Sequence, residues 1–243
     1  MAKLVQKSGY IKSGKASGYM RYIATREGVE KLAGNGSVTK GQRELIQKLL
    51  TDFPDAVELF EYEDYCKTPT LGTASAFISM ALDANLHEID SESGYMQYIA
   101  TRPRAQKRGI HGLFSSATAV DLASAISELE AHEGNVWTII YSLRREDADR
   151  LEYDNADAWR ALLMENAPTL AKSMKISLDN FHWYAAFHDE GHHPHIHMMV
   201  WSDDPKEGFL TKDGIAAMRS KLTNAIFRDE MQQIYERKDV AYS

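Results

Sequence analysis

Two periods divide this chain. Strict alternation marks Phe181 to His188 and His195 to Trp201, where every second residue belongs to one face. The linker between them, Asp189-Glu190-Gly191-His192-His193-Pro194, carries turn residues, so the two runs are predicted to pair as an antiparallel hairpin. Leu4 to Ile11 reads as a first strand and Val136 to Leu143 (VWTIIYSL) as a buried one. Three-four spacing predicts helices over Gly41 to Leu50, Leu71 to Ile89, Ala119 to Glu133, Asp157 to Ser173 and Lys212 to Arg237, with a kink or break at Pro168. Between the first strand and these helices, Ser13 to Ser17 forms a loop feeding a helix that holds Tyr19 and Tyr22.

Composition adds constraints. With 243 residues, 44% hydrophobic and 26% charged, the chain suits a globular protein and excludes collagen-like or low-complexity architecture. No run reaches the ~18 apolar residues of a membrane span, and Met1 to Val5 lacks a signal-peptide core, so no membrane insertion and a cytoplasmic location are expected. One cysteine, Cys66, permits no internal disulfide and no thiolate cluster, leaving His, Asp and Glu to hold any metal.

The net charge of −7 alone disfavours a nucleic-acid partner, but its distribution is uneven. Residues 1–50 hold ten Lys and Arg against three Glu, residues 51–92 hold ten acids against Lys67, and residues 94–120 carry Arg102, Arg104, Lys107 and Arg108 with no acid. An acidic, helical insertion at about 40–92 is therefore expected between two basic segments of one domain spanning 1–243.

Those basic segments share a repeat. Gly18 to Arg26 reads GYMRYIATR and Gly94 to Arg102 reads GYMQYIATR. A duplicated core helix is the plain explanation for the tyrosines. Yet each copy also keeps two tyrosines three residues apart, with Arg26 or Arg102 four residues after Tyr22 or Tyr98, which sets a phenol beside a cation.

The hairpin carries the densest chemistry. Alternation puts His182, Tyr184, Ala186 and His188 on one face of its first strand, and His195, His197, Met199 and Trp201 on one face of its second. One register gathers His188, His195 and His197, three imidazoles able to hold a divalent ion with positions left open. Asp189 and Glu190 are candidates to orient a ligand imidazole or act as a base, or they form a solvated turn. His192 and His193 are open between supporting the ligands, touching substrate and facing solvent.

The segment HDEGHHPHIH, His188 to His197, resembles the third motif of conjugative relaxases of the HUH endonuclease superfamily: a histidine, an acidic turn, then Pro-His-x-His. The N-terminal strand followed by a helix with Tyr19-Met20-Arg21-Tyr22-Ile23 is similar to the MobP class, in which the corresponding tyrosine is the nucleophile. The stretches YIATREGVEKL, HGLFS, SLRREDA and FHDEGHHPHIHMM extend the resemblance over nearly the whole chain. It implies an α+β fold, a central antiparallel sheet with flanking helices and the histidine hairpin at its centre. It also implies a nickase acting on single-stranded DNA at an origin of transfer, in plasmid or integrative-element conjugation, with Mn²⁺ or Mg²⁺ on His188, His195 and His197. Tyr22 matches the nucleophile, with Tyr19 beside it. The chain departs from the pattern twice: the acid falls at Glu190 with Asp189 adjacent, and the second copy supplies Tyr98. Accessory relaxosome proteins and a coupling protein are the implied partners.

The residue chemistry suits that expectation. A phenol of pKa ~10 needs help to attack phosphorus, from a base, a cation such as Arg26, or a metal that polarises the phosphate. Lys12, Lys15, Arg21, Arg102, Arg104, Lys107 and Arg108 are the candidate phosphate contacts. Three other readings compete: a histidine-triad nucleotide hydrolase built on His193-x-His195-x-His197, a DNA-binding module of the same fold without cleavage, and a three-histidine metallohydrolase that activates water.

Overall fold

In the computed structural model the described residues are 3–10, 35–85, 96–97, 99–100, 105–106, 111–117, 119–189, 192–228 and 230. The chain divides into two compact units, Gly9–Met96 and the remainder, Met1–Ser8 with Gln97–Ser243.

The larger unit is α+β. A five-stranded antiparallel sheet takes the order β1-β3-β5-β4-β2 from β1 (Val5–Tyr10), β2 (Leu113–Phe114), β3 (Trp137–Ser142), β4 (Phe181–His188) and β5 (His195–Ser202). The hairpin strands pair over their full length, from Phe181 opposite Ser202 to His188 opposite His195. On the other edge of β5, β3 pairs antiparallel from Trp137 opposite Val200 to Ser142 opposite His195. The strand carrying two histidines is thus the middle strand of the sheet, and all eight of its residues are buried.

Alternation gives the two faces different jobs. Trp183, Ala185, Phe187, Ile196, Met198 and Val200 enter the main core with Ile139 and Tyr141 of β3. That core is closed by α6 (Ala156–Ser173) and α7 (Lys212–Ile226), through Trp159, Leu163, Leu170, Met218 and Leu222. Burying each such large apolar side chain contributes about 1.5–3 kcal/mol. Gly214 lets the two helices approach, because a Cβ there would stand 2.4 Å from the Ser173 carbonyl oxygen.

Pro168 does not end its helix: α6 runs unbroken from 156 to 173 with the proline inside. Pro168 lies on the exposed side of α6, and its missing N–H would have served Met164, a residue that is 43% exposed, so water can serve that carbonyl instead. The final helix is described only to Ile226, and the predicted stretch from 231 to 237 falls outside the described residues.

Beyond Gly9 and Tyr10, the last two residues of β1, the described elements of the smaller unit are helices, with α1 (Lys40–Asp52), α2 (Phe60–Lys67) and α3 (Leu71–Ala84). Thr39 and Gln42 form a reciprocal capping box at the start of α1. The Gln42 amide then donates to Ser75 Oγ at 2.9 Å and to the Leu71 carbonyl at 3.1 Å, pinning α1 to α3. Helix α2 and the short α5 (Arg145–Arg150) are absent from the sequence-based reading, since each is too short to show a period.

Candidate metal centre

The register that alternation predicts is the one observed. His188 lies directly across from His195, and His197 across from Ala186, two residues further into the sheet. All three imidazoles are at most 1% exposed. Their ring centroids are 4.5–5.2 Å apart, and one nitrogen from each lies within 4.8 Å of the other two.

Backbone carbonyls set two of the tautomers. His188 Nε2 stands 2.9 Å from the Ile99 carbonyl, and His195 Nδ1 stands 3.1 Å from the His193 carbonyl. A carbonyl only accepts, so each of these ring nitrogens carries the proton. The lone pairs therefore sit on His188 Nδ1 and His195 Nε2. An ion about 2.1 Å from three such nitrogens needs them roughly 3–3.6 Å apart, within reach of small side-chain rotations. The donor set fits a metal: three buried, convergent imidazoles, two of them oriented by backbone carbonyls as ligand histidines commonly are.

The neighbourhood of His188 is built from distant chain. Ala105 bridges to His188, the Gln106 amide donates to the Phe187 carbonyl at 2.8 Å, and the Gly112 amide donates to the Ala100 carbonyl at 2.8 Å. Gly112 is needed for this close approach: a Cβ would come within 3.0 Å of the Ala105 Cβ and 3.1 Å of the Gln106 carbonyl oxygen. His111 beside it is structural, with Nδ1 accepting from the Leu113 amide and Nε2 donating to the Val120 carbonyl.

The turn histidines separate by role. His192 is exposed, and its carbonyl accepts from the Arg145 amide at 2.8 Å. His193 is buried and its carbonyl holds His195, so it supports the cluster through backbone. Asp189 pairs with the Arg145 guanidinium at the surface rather than orienting an imidazole. A residue that sequence reasoning passed over is Ser142, whose hydroxyl is 1% exposed, without a hydrogen-bond partner, and on the residue directly opposite His195. Strand phase places it on the histidine face once the β3–β5 pairing is known, and that pairing is not readable from one strand alone.

The other candidates, Tyr19, Tyr22, Tyr98, Glu190, Lys12, Lys15, Arg21, Arg26, Arg102, Arg104, Lys107 and Arg108, lie outside the described residues. Their described neighbours Ile99 and Ala100 are helical and fully buried.

Fold and site together define an α+β protein with a three-histidine, metal-competent centre on the middle strands of an antiparallel sheet. Residues 1–242 of the 243 match the family model of MobL relaxases. The chain belongs to the MobL relaxase family, and relaxase-type DNA nicking is the function that membership supports. No curated protein and no solved structure matches it significantly. The histidine-triad and non-cleaving readings are not favoured by this family. The first of them also requires His193 to continue the strand, whereas β5 begins at His195. No helix among the described residues is long and apolar enough to cross a membrane.

Proposed function

We propose that this chain is a metal-dependent relaxase of the HUH type, close to the MobP class. It nicks one strand at an origin of transfer through a 5′-phosphotyrosine intermediate. The observation that carries the reading is the buried convergence of His188, His195 and His197 in a chain of the relaxase family.

These three histidines are the proposed ligands. Because the set is uncharged, an ion held there keeps its full positive charge for a substrate phosphate. Mn²⁺ suits it better than Mg²⁺, which prefers oxygen donors. When bound, the ion supplies Lewis-acid polarisation of the scissile phosphate and neutralises charge on its oxygens. The chain supplies the nucleophile: the Tyr22 phenol oxygen bonds to phosphorus, the bond from phosphorus to the 3′ oxygen breaks, and the leaving 3′ oxygen takes up a proton. Glu190 is the proposed base for the phenol proton, Tyr19 is the proposed auxiliary tyrosine, and Arg26 stabilises phenolate or phosphate. Lys12, Lys15, Arg21, Arg102, Arg104, Lys107 and Arg108 are the proposed backbone contacts. The phosphotyrosine linkage retains the phosphodiester energy, so the reverse attack rejoins the strand.

The second repeat copy competes for the nucleophile on a specific ground: Ile99, whose carbonyl holds His188, follows Tyr98 in the chain. Residues 40–92 are read as an acidic insertion in a single relaxase domain, facing away from DNA or toward accessory relaxosome proteins, with the enzyme working in the cytoplasm alongside a coupling protein.

The test is a denaturing gel of the protein with labelled single-stranded DNA spanning its element's origin region and Mn²⁺. A covalent adduct abolished by EDTA, Tyr22→Phe and His195→Ala supports the proposal. Loss only in Tyr98→Phe moves the nucleophile to the second copy, and free nicked DNA without an adduct refutes the tyrosine mechanism in favour of water activation.

A further inference from the structure

The histidine face of the sheet continues past the metal centre. Four residues beyond His197 on β5, about 13 Å along the strand, lies Trp201, directly across from His182. Its ring stacks with His182 at 5.9 Å and 16° and with Tyr184 at 5.6 Å and 27°. Both outer rings are anchored at their polar ends. The Tyr184 hydroxyl donates to Glu128 of α4 (Leu122–Glu130) at 2.9 Å, and His182 Nε2 lies 2.7 Å from Asp203. This pre-ordered stack lines a cavity of about 800 Å³, together with His132, Glu133 and the loop at Ser115 to Ala117. Arg160 fixes that loop by donating to the Ser115 and Ser116 carbonyls at 2.8 and 2.7 Å.

Three features select the occupant. Aromatic rings offer a stacking surface of the kind on which bases lie in single-strand complexes. The charged lining is Glu128, Glu133 and Asp203, which repels phosphate, so only a base edge is suited to enter while the backbone stays outside. His132 adds a ring to the wall, its centroid 6.1 Å from that of Trp201. Carboxylates only accept hydrogen bonds. Guanine presents two adjacent N–H donors on its Watson–Crick edge, whereas thymine presents one donor flanked by two carbonyl acceptors. The separation from the histidines falls inside the footprint of four or more nucleotides that single-strand binding surfaces cover.

We propose that this cavity is a nucleobase site that receives a guanine of the DNA strand a few nucleotides from the scissile phosphate, contributing to the choice of the nicked sequence. It rests on the single-stranded DNA reading above.

The test compares binding of fluorescent (TG)7T and (dT)15 strands by anisotropy at fixed salt. Sliding lets a guanine of the alternating strand reach the cavity in any register. The full-length protein is expected to bind (TG)7T about tenfold more tightly. Glu133→Gln and His182→Ala, both at exposed or half-exposed positions that spare the buried Trp201, should bring the ratio to about one, while Glu44→Gln in the smaller unit leaves it at tenfold. Equal binding of the two strands by the unmodified protein overturns the base site while leaving the DNA reading standing, as does a ratio unmoved in both cavity variants. Failure to bind either strand overturns the DNA reading and the base site with it. If an oligolysine peptide, and not (TG)7T, quenches tryptophan fluorescence in a His182-dependent way, the cavity docks a basic protein segment and the proposal falls.

Discussion

Removal of His197 gives the sharpest test of the metal centre. Its ring is completely buried, 4.5 Å from that of His188 and 5.0 Å from that of His195, so His197→Ala deletes one of three convergent donors. An ion that binds only the folded chain stabilises it by ~2.7 kcal/mol when present at a hundredfold excess over Kd. In a chain of this size each kcal/mol moves the midpoint by about 2–4 °C, so Mn²⁺ should raise Tm by roughly 5–11 °C. Tryptophan fluorescence isolates the relevant unit, because Trp137, Trp159, Trp183 and Trp201 are the only four tryptophans and all belong to the unit containing the sheet. The variant starts from a lower Tm, since truncating a buried ring leaves a cavity. The decisive quantity is therefore the increment with metal, which should fall to 2 °C or less in His197→Ala and stay whole in His192→Ala, where the ring is exposed. Equal increments in the parent and His197→Ala would refute the assignment of this cluster as the metal site.

Other consequences follow from single groups. The Tyr141 hydroxyl is fully buried with no hydrogen-bond partner, and burial pushes its phenol above the ordinary range, so Tyr141→Phe should stabilise the sheet unit by ~1 kcal/mol in urea denaturation. Ser142→Ala should leave metal-free stability unchanged or slightly raised, as it removes a buried hydroxyl without a partner, and a loss above ~2 kcal/mol would show that the hydroxyl is already satisfied. The Glu207 carboxyl accepts from Ser177, Ser202 and Asn180, and the Ser177 and Ser202 hydroxyls foremost hold its pKa down to about 2. A depressed folded pKa stabilises above the unfolded value of ~4.3 and is lost as pH falls toward 2. Thermal melts of the parent and Glu207→Gln should therefore differ most near pH 6 and converge toward pH 2, and a constant gap across that range would contradict the assignment.

How much was legible depends on the range of the interactions. A period of two is local, so the faces of Phe181–His188 and His195–Trp201, and the meeting of His188 with His195, follow from spacing and a short turn. The helices over 40–52, 71–84 and 156–173 likewise carry their own amphipathic pattern, whereas β2 is two residues long and α5 six, too brief to leave one. The role of Asp189 stayed open between an imidazole partner and a solvated turn because a turn carboxylate has no phase, and its partner Arg145 comes from another part of the chain.

By itself, then, the sequence determined the three-histidine face, the α+β class through its alternating and helical periods, and the relaxase resemblance that the family match supports. Tertiary structure alone decided what surrounds that face. The Ile99 carbonyl reaches His188 across 89 residues, Ser142 arrives opposite His195 from β3, and Glu128 of α4 reaches the Tyr184 hydroxyl across 56 residues. Such contacts arise from chain closure over long sequence separations, where no periodicity connects the partners and only the packed sheet and its covering helices bring them together.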